Sequence, residues 1–253
     1  MLKLERRAVD AFLPAPHQTA LSEREKAATR CATDTTKKRG QKIRDAWDNF
    51  RQGKTAKGTC DLLLEELLTM SFRKCAFCEA PQPKTIEHIE EKAKVPAKMF
   101  SWPNLLPACS VCNTGRQNSG IAAQPIDPSS CEPLDYLGWD LGTGWIIPNP
   151  QHKARVEAHV EMYSLRRYDG ARKRCLVGFI AHLFALTLQE SPDPRTKSAI
   201  ETALKPEAQH MGPIREYLLR PPTEDDKWLL DEALRRLPEI RDWVKPWLRG
   251  GSM

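Results

Sequence analysis

Two cysteine pairs carry the most specific chemistry in this sequence. Cys75-Ala-Phe-Cys78 and Cys109-Ser-Val-Cys112 are CxxC knuckles separated by 30 residues. Each can present two thiolates to one ion, and two together complete a tetrahedral Cys₄ zinc site with no open position, so the zinc would be structural. A single CxxC is ambiguous between metal and redox chemistry, whereas two in one short segment favour metal. The alternatives are two unrelated pairs or a redox pair. The other four cysteines, Cys31, Cys60, Cys131 and Cys175, are scattered and read as small buried hydrophobes or idle thiols.

A simple ribbon needs fewer than 30 residues between knuckles, so the intervening segment has to form something of its own. It contains Glu87-His88 and Asn104, and Asn113 directly follows the last cysteine. Phosphodiester hydrolysis needs an activated water and a cation that stabilises charge on the phosphate and the leaving oxygen. A neutral imidazole accepts a proton near neutral pH, and its ring has to be fixed by a second group. A carboxylate and an amide oxygen are hard ligands suited to Mg²⁺ or Mn²⁺.

Ile86-Glu87-His88-Ile89, Trp102-Pro103-Asn104-Leu105-Leu106 and Ala108-Cys109-Ser110-Val111-Cys112-Asn113 together resemble the HNH nuclease signature. More narrowly, the pattern is similar to the HNH nuclease subunit of Septu-type anti-phage systems, also found with some retrons. The matched block covers residues 75–118. A looser likeness continues through Asp127-Pro128 into the helix at 154–174. The resemblance implies a small zinc-bound ββα-metal core and an endonuclease that works with an ATPase partner. It implies His88 as general base, Asn104 as the residue orienting it, and Glu87 and Asn113 as ligands of the catalytic ion. It leaves Arg116, one turn beyond Asn113, to touch phosphate. One departure is that Glu90-Glu91-Lys92 follows His88 where the family often has Pro and then Lys. The extra carboxylates are read as solvated. Rival readings are a non-catalytic zinc-finger module that binds nucleic acid and a zinc scaffold for a partner. The intact Glu87, His88, Asn104 and Asn113 weigh against both.

The surrounding elements have to hold this segment. The predicted class is α+β, mostly α, with a basic helical arm at 1–72, the zinc-stapled core at 73–150 and a helical region at 151–253. Residues 1–20 read as an extended lead-in. Residues 21–57 read as helical, capped by Ser22, with Ile43, Trp47 and Phe50 at helical spacing; the chain is expected to break around Gly53 and Gly58, and a second helix spans 60–71. Residues 121–150, rich in Pro and Gly, predict loop or a hairpin around Gly144-Trp145-Ile146-Ile147. Helices are predicted at 152–166, 169–189, 195–204, 212–220 and 223–236, the last starting at Thr223-Glu224-Asp225-Asp226.

The net charge of +6 is unevenly placed. Residues 1–60 carry +7, residues 61–150 carry −4 and residues 151–253 carry +3. A basic arm suits a phosphate backbone and an acidic middle suits a divalent cation. Lys37-Lys38-Arg39, with Lys42 and Arg44, is the candidate nucleic-acid face, for DNA rather than RNA. Arg166, Arg167, Arg172, Lys173 and Arg174 form a second cluster. Charge runs are usually solvated faces. His152, His159, His182 and His210 read as core or surface residues, Trp228, Trp243 and Trp247 as packing or partner surface, and Gly250-Gly251-Ser252-Met253 as a flexible tail. No run approaches the ~18 apolar residues of a membrane span, and no apolar signal core follows the first charges, so a cytoplasmic protein without membrane contact is expected.

Overall fold

Helical periodicity governs most of the chain, and the computed structural model is accordingly α+β, mostly α. It describes residues 1–33, 35–36 and 38–245, the side chains of 54–57 aside. Lys37, Trp247 and the tail at 250–253 lie outside the described residues. The helices are α1 (Ala15–Ala32), α2 (Arg39–Gln52), α3 (Lys54–Met70), α4 (Ser110–Ser119), α5 (Lys153–Met162), α6 (Asp169–Thr187), α7 (Pro194–Leu204), α8 (Met211–Leu219), α9 (Glu224–Arg236) and α10 (Ile240–Val244). The strands are β1 (Thr85–His88), β2 (Leu105–Ala108), β3 (Leu137–Asp140) and β4 (Trp145–Pro148). They form two separate two-stranded antiparallel sheets, β1–β2 and β3–β4.

Chain contacts divide these elements into two compact units. One comprises residues 4–76 and 82–114. Here β1 and β2 pair in the register Thr85–Ala108, Ile86–Pro107, Glu87–Leu106 and His88–Leu105. Two strands alone are marginal in water, and α3 packs against β2 while α1 packs over the short 3₁₀ turn at Pro96–Lys98. Leu63, Leu67, Met99, Phe100, Leu105 and Leu106 are fully buried, each side chain contributing about 1.5–3 kcal/mol of apolar transfer.

The N-terminal helices differ from the sequence expectation in their bounds. The lead-in becomes helical at Ala15, and Ser22 lies inside α1. Pro16, within the first turn, sets the start, because its fixed φ suits a helix and its missing N–H is not needed there. Residues 21–57 are not one helix, since the chain leaves α1 at Thr33 and resumes at Arg39. Gly53, extended at φ −68° and ψ 137°, separates α2 from α3. Gly58 is no break: it lies within α3, where the ring of His17 would be 3.5 Å from an added Cβ. An added Cβ would make only ordinary contact there, and His17 Nδ1 hydrogen-bonds Thr59 Oγ1 at 2.9 Å.

The other unit comprises residues 1–3, 77–81 and 115–253. α6 is its hub, packing against α7, α8 and α9 through Phe179, Leu183, Leu186, Ile200, Tyr217 and Leu230. The expected helices fall close to their predicted spans, and Thr223 Oγ1 accepts from the Asp226 amide at 3.1 Å as the N-cap of α9. The segment around Gly144 is the β3–β4 hairpin. Gly144 has φ +78°, and a Cβ there would lie 2.2 Å from the Asp169 carbonyl, so the turn tolerates no side chain. Arg172 of the second basic cluster is buried, donating to Asp169 and to the Leu165 carbonyl. His159 is a core residue: its Nδ1 accepts from the Ile126 amide, and burial pushes its pKa down to about 3.

Among the described residues, no helix is long and apolar enough to cross a membrane.

Candidate functional site

The four cysteine sulfurs of the two knuckles lie within 4.8 Å of one another, and none is in a disulfide. A tetrahedral zinc with bonds of about 2.3 Å places its sulfurs roughly 3.8 Å apart, so the donor set fits a metal such as zinc. Local backbone produces this geometry. The first knuckle follows a turn in which Phe72 and Arg73 take positive φ, and a third positive-φ residue, Glu79, ends it. The Ala76 amide bonds the Pro107 carbonyl on β2 at 2.9 Å, and the Gln82 amide bonds Arg73. The second knuckle runs into α4. There the Cys112 amide donates to Cys109 Sγ at 3.4 Å, and the helix N-terminus favours the thiolate form.

β1 carries Glu87 and His88 at its end, both buried. His88 Nε2 lies 2.9 Å from the Met99 carbonyl. A carbonyl only accepts, so Nε2 bears the proton and Nδ1 is the basic nitrogen of the neutral ring. The imidazole also meets the indole of Trp47 from α2, ring centroids 4.5 Å apart at 73°. Sequence reading placed Trp47 on a helical core face and gave it no part in the site. The 3.6-residue spacing of Ile43, Trp47 and Phe50 shows which face is buried, not what it covers.

Asn104 does not touch His88 in the hydrogen bonds recorded for it; it closes the loop that does. Its Oδ1 accepts from the Glu90 amide at 2.7 Å, and its Nδ2 donates to the carbonyls of Glu90 and Lys98 at 3.1 and 2.9 Å. The Ile89 amide bonds the Asn104 carbonyl at 3.0 Å. These bonds hold both ends of residues 89–104, and the enclosed Met99 supplies the carbonyl for His88. Glu91 pairs with Lys94 at 2.8 Å and Glu90 pairs with Lys98, so the two extra carboxylates serve lysines of their own loop.

Asn113, on the first turns of α4, places Nδ2 3.5 Å from the Ile86 carbonyl, a long contact beside Glu87. With Nδ2 turned to that carbonyl, Oδ1 is the Asn113 atom suited to a hard cation. β1 and the start of α4 thus bring Glu87, His88 and Asn113 to one short stretch. Arg116 is placed otherwise: it is 7% exposed, and its Nη1 donates to Tyr163 Oη at 3.0 Å. Tyr163 stacks on Phe77 at 3.8 Å. Lys38 is exposed and Arg39 half-buried at the start of α2, about 12 Å along the helix axis from Trp47.

No protein-family model matches the chain. A stretch of 77 residues is 31% identical to Septu protein PtuB of Bacillus thuringiensis, covering 28% of this chain and 30% of that protein. The chain spans about 30% of the length of this curated relative.

Proposed function

We propose that the chain is a metal-dependent HNH endonuclease acting in anti-phage defence. The observation that supports this best is the ββα arrangement of β1, β2 and α4 on the four-cysteine frame, with His88 held at Nε2 beside Glu87 and Asn113. The likeness to Septu protein PtuB supports the defence role.

In this reading the cysteines hold structural Zn²⁺, and Glu87 and Asn113 hold Mg²⁺ or Mn²⁺. That ion, when bound, supplies a Lewis acid for the phosphate and the leaving oxygen. His88 Nδ1 takes the proton of the attacking water while Nε2–H stays on the Met99 carbonyl, which stabilises the imidazolium formed. Asn104 keeps the loop, and so the carbonyl, in place. DNA is the preferred substrate, and an ATPase is the proposed protein partner.

The test is incubation of the purified, zinc-loaded chain, alone and with an ATPase encoded beside it, with duplex DNA and Mg²⁺ or Mn²⁺. Metal-dependent strand cleavage is expected. Binding without cleavage under every condition would leave the non-catalytic zinc-module reading instead.

The basic arm supplies sequence-independent affinity in this proposal. Cations at the N-terminus of α2 oppose the helix dipole, so Lys38 and Arg39 gain little stability there. Replacing Lys37, Lys38 and Arg39 together by Gln is expected to lower duplex affinity and to reduce the slope of log K against log salt by about 2–3. An unchanged slope in a titration from low to moderate salt would make the arm a packing element or partner dock.

A further inference from the structure

Three lysines lie in the loop after β1, and two are used by that loop. Lys94 pairs with Glu91 and Lys98 with Glu90. Lys92 is half-buried and has no ion pair with a described residue. Its Nζ sits 5.9 Å from the ring centroid of Trp47, the same indole that contacts His88. Burial lowers its pKa, while Glu87 and Asp48 favour its charged form and Arg51 opposes it. A partly desolvated ammonium without a paired anion costs free energy, and this one is kept against the indole that also contacts His88.

We infer that Lys92 is a substrate-phosphate ligand of this centre, a cation held by the α2 indole beside Glu87 and His88. The inference rests on the endonuclease reading above. An ammonium offers three donors in a compact charge, which suits a phosphate oxygen without demanding bidentate geometry. Trp47 acts here as a positioning residue: one ring packs steeply against the imidazole and restrains the ammonium through cation–π attraction. Once phosphate and metal are bound, each charge has an opposite partner: Glu87 faces the metal and Lys92 faces the phosphodiester.

The test uses the zinc-loaded full chain and a 30-base-pair DNA duplex, chosen long enough to span the site. Affinity is measured against salt with Ca²⁺ as a non-cleaving hard cation, and cleavage is measured with Mn²⁺. Lys92→Gln is expected to weaken binding about tenfold at low salt and to reduce the salt slope by about 0.9, the value for one lost phosphate contact. Lys92→Arg is expected to restore the slope. Cleavage by Lys92→Gln should fall at least as far as affinity does. An unchanged slope would overturn the inference, whether cleavage is normal or reduced, because reduced cleavage alone marks lost packing on Trp47. A parent chain that does not bind the duplex would overturn it as well. A parent that binds but never cuts, with the slope still falling in Lys92→Gln, removes the endonuclease reading and leaves the phosphate contact standing.

Discussion

His88→Ala is expected to lose cleavage by about 10² to 10⁴ in rate, the usual worth of a general base, while zinc content and duplex binding persist. The cysteine frame and the Asn104 clamp hold the loop without the imidazole, since the Asn104 bonds run to Glu90 and Lys98. Only the chemical step needs Nδ1. The ring is buried against Trp47, so its removal leaves a small void, a destabilisation of about 1–3 kcal/mol of the kind usual for buried truncations. Circular dichroism and zinc analysis of the variant therefore accompany the rate. His88→Gln, which fills more of the space, should be as inactive as His88→Ala if proton transfer is the missing function. Asn113→Ala offers a contrast. Its defect passes through the hard cation, so raised Mn²⁺ should recover part of its activity and none of that of His88→Ala. Cleavage at the parent rate by His88→Ala would remove His88 as the base.

The second large effect concerns the frame itself. One zinc per chain is expected, and Cys75→Ala, Cys78→Ala, Cys109→Ala or Cys112→Ala should each release it and unfold the segment from 75 to 113. Three of these residues are buried, and four sulfurs within 4.8 Å are a costly arrangement for thiolates without a cation. Structural zinc contributes about 10–16 kcal/mol in zinc-finger peptides, which is comparable with the whole stability of a domain. Scanning calorimetry and elemental analysis check this. A purified chain without zinc, or zinc retained after losing a cysteine from each knuckle, would refute it. The frame holds β2 through the bond of Ala76 to Pro107, so a chelator should abolish activity along with structure, and returning Mn²⁺ without Zn²⁺ should not restore it.

What could be read from residue order alone were the features set by near neighbours. The CxxC spacing was enough to nominate the metal ligands, because each knuckle is a four-residue geometry. The spans of α5 to α9 followed from helical periodicity and breaking prolines, and the Thr223 cap followed from a local hydrogen-bonding pattern. The charge imbalance was arithmetic. In contrast, Gly58 reads as a breaker in sequence, yet it lies inside α3, which packs against α1 with His17 hydrogen-bonded to Thr59. His88 and Asn104 could be proposed by type, but the partners that hold them, Met99 and the loop backbone of Glu90 and Lys98, were set by folding. The resemblance leaves Arg116, one turn beyond Asn113, to touch phosphate, but its bond to Tyr163, 47 residues away, came only with the fold. Trp47 and Lys92 meet across 45 positions in the chain. Hydrophobic spacing states that a side chain is buried; only tertiary structure decides which polar group it is buried against, because packing partners come from distant segments whose approach no local pattern encodes.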